Sequence, residues 1–347
     1  PSPRLTLLPI LRVLPLPLLV LGALAGGWAV GPAIIATVLA VFVQGAPDLA
    51  VDDTGKKPGL AAGIALASAA LLPLVLFSLS GGVALGLGGW FGLLAAAALW
   101  YGQIGLAAAH ALIHRSSREA GLGAAFYCLF WAGPFVSAHC LVHHRTAATG
   151  DDPFTADEGE GFWEFTVRAW PAAILAGWEI ETELEEPGLG TPRAGLHPYV
   201  VYIATSVVAA IAFAAIAGLD GVLVHLILSC AVHLQILQVE YLRHYGRQRR
   251  RSRHGGTEPF SVAHEWTAPD SFARMRNGQA ARPSDHGEHD GPGGCVAITP
   301  APAIAPMLPY PFPVMAAIAL VPPLFAQVIV VRQVVPARTK RTSRTRV

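Results

Sequence analysis

Residues 84–115 read ALGLGGWFGLLAAAALWYGQIGLAAAHALIHR. The stretch stays uncharged until Arg115 and then carries two histidines four residues apart. A bilayer core takes about 20 apolar residues in helical form, so 84–107 reads as a membrane span. Its end delivers His110 and His114, and positions i and i+4 share one helix face. Both imidazoles can therefore reach one metal ion.

Working outward, five further stretches are comparably apolar: 6–24, 28–45, 59–80, 199–217 and 221–239. With 84–107 they pair as three hairpins through very short turns at Gly26-Gly27, Ser80-Gly81-Gly82 and Gly218-Leu219-Asp220. The first apolar run continues directly into the second, which reads as a span rather than a cleaved signal peptide. Pro1 begins the sequence where Met is expected, so the natural start is expected further upstream.

The composition agrees. The 347 residues are 53% hydrophobic and 14% charged, against about 25% charged in soluble domains. A formal net charge of +1 suggests no nucleic-acid partner. The four cysteines show no CxxC spacing, which excludes a readable disulfide framework or zinc knuckle.

Basic residues set the orientation. Arg115, Arg118, Arg145 and Arg168 follow the fourth span, Arg243 to Arg253 follow the sixth, and the last sixteen residues are basic again. That face, with both termini, is expected to be cytoplasmic. The expected fold class is an all-α integral membrane protein. It has six transmembrane helices in three hairpins and a cytoplasmic histidine-rich metal-binding cap. Residues 1–347 form one membrane-embedded domain, with cytoplasmic regions 108–198 and 240–330 and a basic tail, 332–347, lacking regular structure.

Two apolar stretches are not expected to span. Residues 121–138 lie between histidine motifs that must meet on one side, so they read as a re-entrant or interfacial helix. Residues 311–331 lie among Pro309, Pro311, Pro313, Pro322 and Pro323. They read as a buried cytoplasmic or interfacial segment, because proline costs about 3 kcal/mol inside a helix. Residues 281–306 read as loop.

Histidine is the anomaly, at 13 residues in so apolar a chain. Beyond His110 and His114, the segment AHCLVHHR carries His139, His143 and His144. On an α-helix His139 and His143 share a face, while His144 points about 100° further round. That geometry suits one helix feeding two neighbouring metals. EYLRHYG carries His244, and SDHGEHDGP carries His286 and His289. Imidazole suits zinc, copper, iron and nickel, and eight such residues exceed one zinc site. His197, His225, His233 and His254 lack a partner at metal spacing and read as packing or hydrogen-bonding residues. The absence of a polar pair within the spans argues against a transporter.

At these residues the chain resembles the membrane-bound alkane 1-monooxygenase family, within the fatty acid desaturase and hydroxylase superfamily. The resemblance runs from about residue 45 to 330. HALIHR (110–115) is similar to the family's first histidine box. AHCLVHHRTAATGDDPFTADEGEGFW (138–163) is similar to its second box and the loop after it. LQVEYLRHYG (237–246) resembles the segment with its isolated histidine, and HEWTAPDSF (264–272) its His-Ser-Trp-Asn stretch. RPSDHGEH (282–289) resembles the last box, and PMLPYPFPVMAAIALVPPLF (306–325) its C-terminal segment.

The resemblance implies a six-span bundle in the bacterial inner (plasma) membrane. It also implies two iron ions in a non-haem di-iron centre, a rubredoxin-like electron donor, and O2-dependent hydroxylation of the terminal methyl of an alkane or similar chain. The implied catalytic ligands are His110, His114, His139, His143, His144, His244 and His286, with His289 as a further metal ligand. This chain departs from the pattern at Pro283 and Gly287, where the last box has histidines, at Ala111, where a glutamate is usual, and at Arg243, where Glu or Gln is expected. Two alternatives stand beside the main reading: a lipid acyl desaturase or hydroxylase, and a non-catalytic relative with an incomplete last box.

Overall fold

The computed structural model describes residues 11, 13–44, 59–115, 117–185, 195–251, 256–269 and 306–333. These residues are mainly helical, with two isolated β-bridges among them. Among the described residues the main helices are α1 (Pro15–Ala25), α2 (Val30–Gln44), α3 (Gly59–Phe77), α4 (Gly86–Ile113), α5 (Ser117–Cys128), α6 (Gly133–Ser137), α7 (Phe162–Glu185), α8 (Pro198–His244), α9 (Phe312–Ala319) and α10 (Pro322–Gln333).

Among the described residues three helical stretches are long and apolar enough to cross a bilayer: Gly59–Gly82, Gly86–Ile113 and Pro198–His244. The last contains a reversal. Gly218 sits at φ 65°, ψ −165° and interrupts the helix. In a straight helix Ser206 and His225 would lie about 28 Å apart. Instead the Ser206 hydroxyl donates to the carbonyl of Cys128 and His225 Nε2 donates to that of Leu129, the next residue. The two arms of α8 therefore lie side by side, with the Phe213 and His225 rings 4.9 Å apart. Gly26, between α1 and α2, adopts nearly the same conformation, φ 60°, ψ −159°. This region of backbone space is essentially reserved for glycine.

Helices α3 and α4 are antiparallel too. Trp90 Nε1 donates to the Leu79 carbonyl at 2.7 Å, and Trp100 Nε1 donates to Ser68 Oγ at 3.0 Å. Small residues fill the contacts between helices: Ala23, Ala33, Ala61, Ala65, Ala96 and Ala97 are fully buried. Large apolar side chains lie on both sides: Leu72, Leu76, Leu93 and Trp100 are buried, while Ile35, Leu39, Leu66, Phe91, Ile203 and Leu226 face outward. Small residues at helix contacts and large apolar ones on the outer surface suit a bilayer solvent, where close backbone approach contributes to packing.

The two stretches not expected to span are each broken in the structure. The 121–138 region divides between α5 and α6 around Trp131, whose φ is 60°. Twelve residues of α5 reach only about 18 Å. The 311–331 region divides into α9 and α10, and Phe325 of α10 packs its ring 5.2 Å from Tyr241 of α8.

One expectation needs correcting: a polar pair does lie within the bundle. Gln103 Nε2 donates to Gln235 Oε1 at 2.8 Å, both residues being buried. The pair is uncharged, so it satisfies itself at low desolvation cost.

Candidate metal centre

The histidine-bearing ends of α4, α6 and α8 meet at one end of the bundle. Helix α4 widens into a π turn at Trp100–Gly105 and resumes as an α-helix over Leu106–Ile113, so His110 sits on regular helix and His114 caps it. Helix α6 runs on as a second π turn, Ala138–His143, followed by a last α turn, His144–Thr146.

Four rings converge through their Nε2 atoms. His110 Nε2 lies 2.8 Å from His139 Nε2 and 3.3 Å from His114 Nε2, and His144 Nε2 lies 3.0 Å from His139 Nε2. Two nitrogens bound to one ion at about 2.0–2.1 Å and at right angles lie about 3.0 Å apart. Facing lone pairs repel unless a proton or cation lies between them. The donor chemistry therefore fits a transition-metal ion.

This corrects the expected position of His144. An α-helix would swing it about 100° away from its neighbour. A π turn takes more residues per revolution, so the fifth residue on returns beside the first. His144 thus joins His139, His110 and His114, while His143 flanks His139 on the other side, its ring stacked 5.2 Å away.

His143 belongs to a second group. Its ring centroid lies 5.0 Å from that of His244, and both residues are completely buried. His143 Nδ1–H donates to Asp152 Oδ2 at 2.9 Å, and His244 Nδ1–H donates to the His264 carbonyl at 3.2 Å. In each ring Nδ1 is thereby the protonated nitrogen, and Nε2 is the one that would offer a lone pair to a metal. Glu240 completes this group: its Oε2 is 3.5 Å from His143 Nε2 and its Oε1 3.6 Å from His139 Nδ1. His110, His114 and His139 form one set able to hold an ion, and His139, His143 and Glu240 another.

The electrostatics favour a cation beside the second group. Burial alone would lower the pKa of His143, yet the Asp152 and Glu240 carboxylates overcome it and raise it to about 8. Burial would raise Asp152, but the charge and hydrogen bond of His143 pull it below the ordinary carboxylate value. His139 shows the opposite case: burial first, then four neighbouring imidazoles, hold it well below the usual histidine value and so neutral.

Asp152, Glu240 and the His264 carbonyl escaped the sequence reading. Glu240 had a signal, since it lies four residues before His244 on one helix. Asp152 sits in a loop, where a carboxylate ordinarily reads as solvated. Arg243, expected to add positive charge, is buried and ion-paired with Glu265 at 3.5 Å. His286 and His289 lie outside the described residues, as do Pro283, Gly287 and His254. The histidines assigned to packing do pack: His225 and His233 bond the carbonyls of Leu129 and Phe130, and His197 accepts from Tyr199 N at the start of α8.

A cavity of about 50 Å³ adjoins the rings. His110, His139 and Glu240 border it together with Leu106, Phe135 and Val239. A small apolar chamber against a metal-binding cluster suits a hydrocarbon end.

Comparison with known proteins agrees with this geometry. The sequence pattern of the fatty acid desaturase family matches residues 84–275, more than half of the chain. The chain is 26% identical over 238 residues to alkane 1-monooxygenase 1 of Pseudomonas aeruginosa, covering 66% of this chain and 59% of that protein. It is 25% identical over 230 residues to alkane 1-monooxygenase 2 of Alcanivorax borkumensis, with the same coverage. It is 28% identical over 164 residues to alkane 1-monooxygenase of Ectopseudomonas oleovorans, covering 45% of this chain and 39% of that protein. The chain thus spans less than two thirds of the length of these relatives.

Proposed function

The chain belongs to the fatty acid desaturase family, and on that premise we propose that it is a non-haem di-iron membrane monooxygenase. Its substrate is the terminal methyl of an alkane or similar hydrocarbon chain. The observation that carries the reading is the convergence of four Nε2 atoms within 2.8–3.3 Å steps, beside a second imidazole–carboxylate group. His110, His114, His139 and His144 hold one iron; His143 and His244 contribute to the other, with His286 and His289 as further ligands. The similarity to alkane 1-monooxygenases supports the substrate class.

Iron supplies reduction of O2, which an unreactive C–H bond requires and which no side chain can provide. The balance is one O2, two electrons and two protons per chain hydroxylated: one oxygen atom enters the C–H bond and the other leaves as water. The protein's own part is positional. Asp152 and the His264 carbonyl fix the tautomers of His143 and His244. Leu106, Phe135 and Val239 keep water from the chamber where the chain end rests. The Ala- and Gly-rich helices cross the inner membrane as six spans in three hairpins, with the histidine end and both termini cytoplasmic. A rubredoxin-like donor delivers electrons at that face, drawn to the exposed Arg250 and Arg251.

The test is anaerobic loading with ferrous iron, followed by reductant, O2 and a medium-chain alkane. The expected product is the 1-alkanol, formed with matching O2 uptake. Iron-loaded protein that consumes no O2 with any medium-chain alkane overturns the reading. Supplying a lipid acyl chain instead, with mass spectrometry for a new double bond, separates out the desaturase alternative.

A further inference from the structure

We propose that Glu240 is a carboxylate ligand of this centre, binding the ion held by His143 and His244 while fixing His139 on the neighbouring ion. The inference rests on the iron-centre reading above and adds a residue to it.

Glu240 precedes His244 by one helical turn, so both side chains leave the same face of α8. It is buried, 5% exposed, and it borders the cavity. Its two oxygens face two different histidines. Oε1 lies 3.6 Å from His139 Nδ1. Because His139 already points Nε2 into the four-ring cluster, Nδ1 carries its proton and directs it at Glu240, the usual arrangement of a carboxylate behind a metal-bound imidazole. Oε2 lies 3.5 Å from His143 Nε2. Nδ1–H is committed to Asp152, so Nε2 is the nitrogen that would turn its lone pair to a metal. Without a metal the carboxylate pairs with the imidazolium, and 3.5 Å is equally a natural separation for two ligands of one ion with bonds of about 2.0–2.2 Å.

His143, His244 and Glu240 together make two imidazoles and one carboxylate, the donor set of open non-haem ferrous sites. The two halves of the centre are then chemically unlike. One is all imidazole, the other mixed, and a single side chain joins them.

The experiment uses full-length protein in detergent, loaded anaerobically with Fe2+ or with Co2+ as a spectroscopic probe. Metal per chain, affinity by chelator competition and the visible Co2+ spectrum are read for wild type, Glu240→Gln and Glu240→Asp. Wild type is expected to take up two ions. Glu240→Gln is expected to lose at least tenfold in affinity for one of them and to change the Co2+ spectrum, with partial return in Glu240→Asp. Two ions bound by Glu240→Gln with unchanged affinity and spectrum overturn the assignment and leave the iron-centre reading standing. Wild-type protein that takes up no metal overturns both. Should Glu240→Gln not be recovered folded, Glu240→Asp decides alone: a shifted spectrum supports the assignment and an unchanged one overturns it.

Discussion

Asp152 accepts the Nδ1–H of His143 at 2.9 Å in a site where both side chains are enclosed by protein. The same Oδ2 accepts from the Thr155 hydroxyl at 2.7 Å, and Oδ1 accepts from the Phe154 amide at 3.0 Å. Both oxygens of this carboxylate are thus engaged, Oδ2 by two donors and Oδ1 by one.

The first prediction follows from that crowding. Asp152→Asn keeps the volume but places an NH2 where Oδ2 was, because the Phe154 amide claims the remaining oxygen. His143 must then accept at Nδ1 and move its proton to Nε2, where a metal should bind. Loss of such an orienting acceptor typically costs about 10–100-fold in metal affinity. Competition with a chelator measures it, and unchanged affinity would show that the bond is only structural.

Metal removal gives the second. A ligand that binds only the folded state stabilises it by about 2.7 kcal/mol at 100 times its dissociation constant. Chelation is therefore expected to lower the apparent melting temperature of the wild type. The shift should shrink sharply in His110→Ala/His144→Ala, which deletes half of the four-ring cluster. Equal shifts in both proteins count against the cluster as a binding site.

Gly218→Ala is the third. At φ 65°, ψ −165° a β-carbon is strained whatever space surrounds it; such conformations cost about 1–3 kcal/mol. The variant should melt lower yet retain its metal stoichiometry, since Gly218 is remote in sequence from every ligand. A Gly218→Ala protein as stable as wild type would mean that the reversal forms differently.

The fourth concerns Gly102, on the first π turn, where an added Cβ would meet the side-chain amide of Gln235. That amide also bonds Gln103 and the Ala98 carbonyl, so it has little freedom to retreat. Gly102→Ala is expected to destabilise by about 1–3 kcal/mol, the usual range for overpacking. The paired change Gly102→Ala, Gln235→Ala should recover part of it. Thermal melts of the two variants side by side provide the check, and equal stability would remove the steric argument.

Much of the site was legible because histidine is scarce in apolar helices. The grouping of His110 with His114 needed only the four-residue spacing of an α-helix. The reversal at Gly218 was also visible, since glycine beside Asp220 interrupts an otherwise continuous apolar run. That His143 and His144 part company was legible too; that His144 rather than His143 joins the cluster at His139 was not, because a π turn has no side-chain signature that periodicity detects. Nor was Asp152, whose role depends on a loop folding back onto α6. The His264 carbonyl lay further out of reach, since a backbone acceptor is silent in sequence. His264 itself turns its ring to Glu258 at 3.0 Å.

The π turn at Ala138–His143 is, in effect, an α-helix holding one residue too many. Such a surplus is what a single-codon insertion leaves behind. Here it acts like a shifted gear tooth: upstream of it the helix keeps its phase, and downstream every side chain is reassigned. Two histidines adjacent in sequence thereby come to face different groups, His144 the four-ring cluster and His143 the side of Asp152 and His244. A change of length within these six residues would alter which group each histidine faces, even if every histidine were retained.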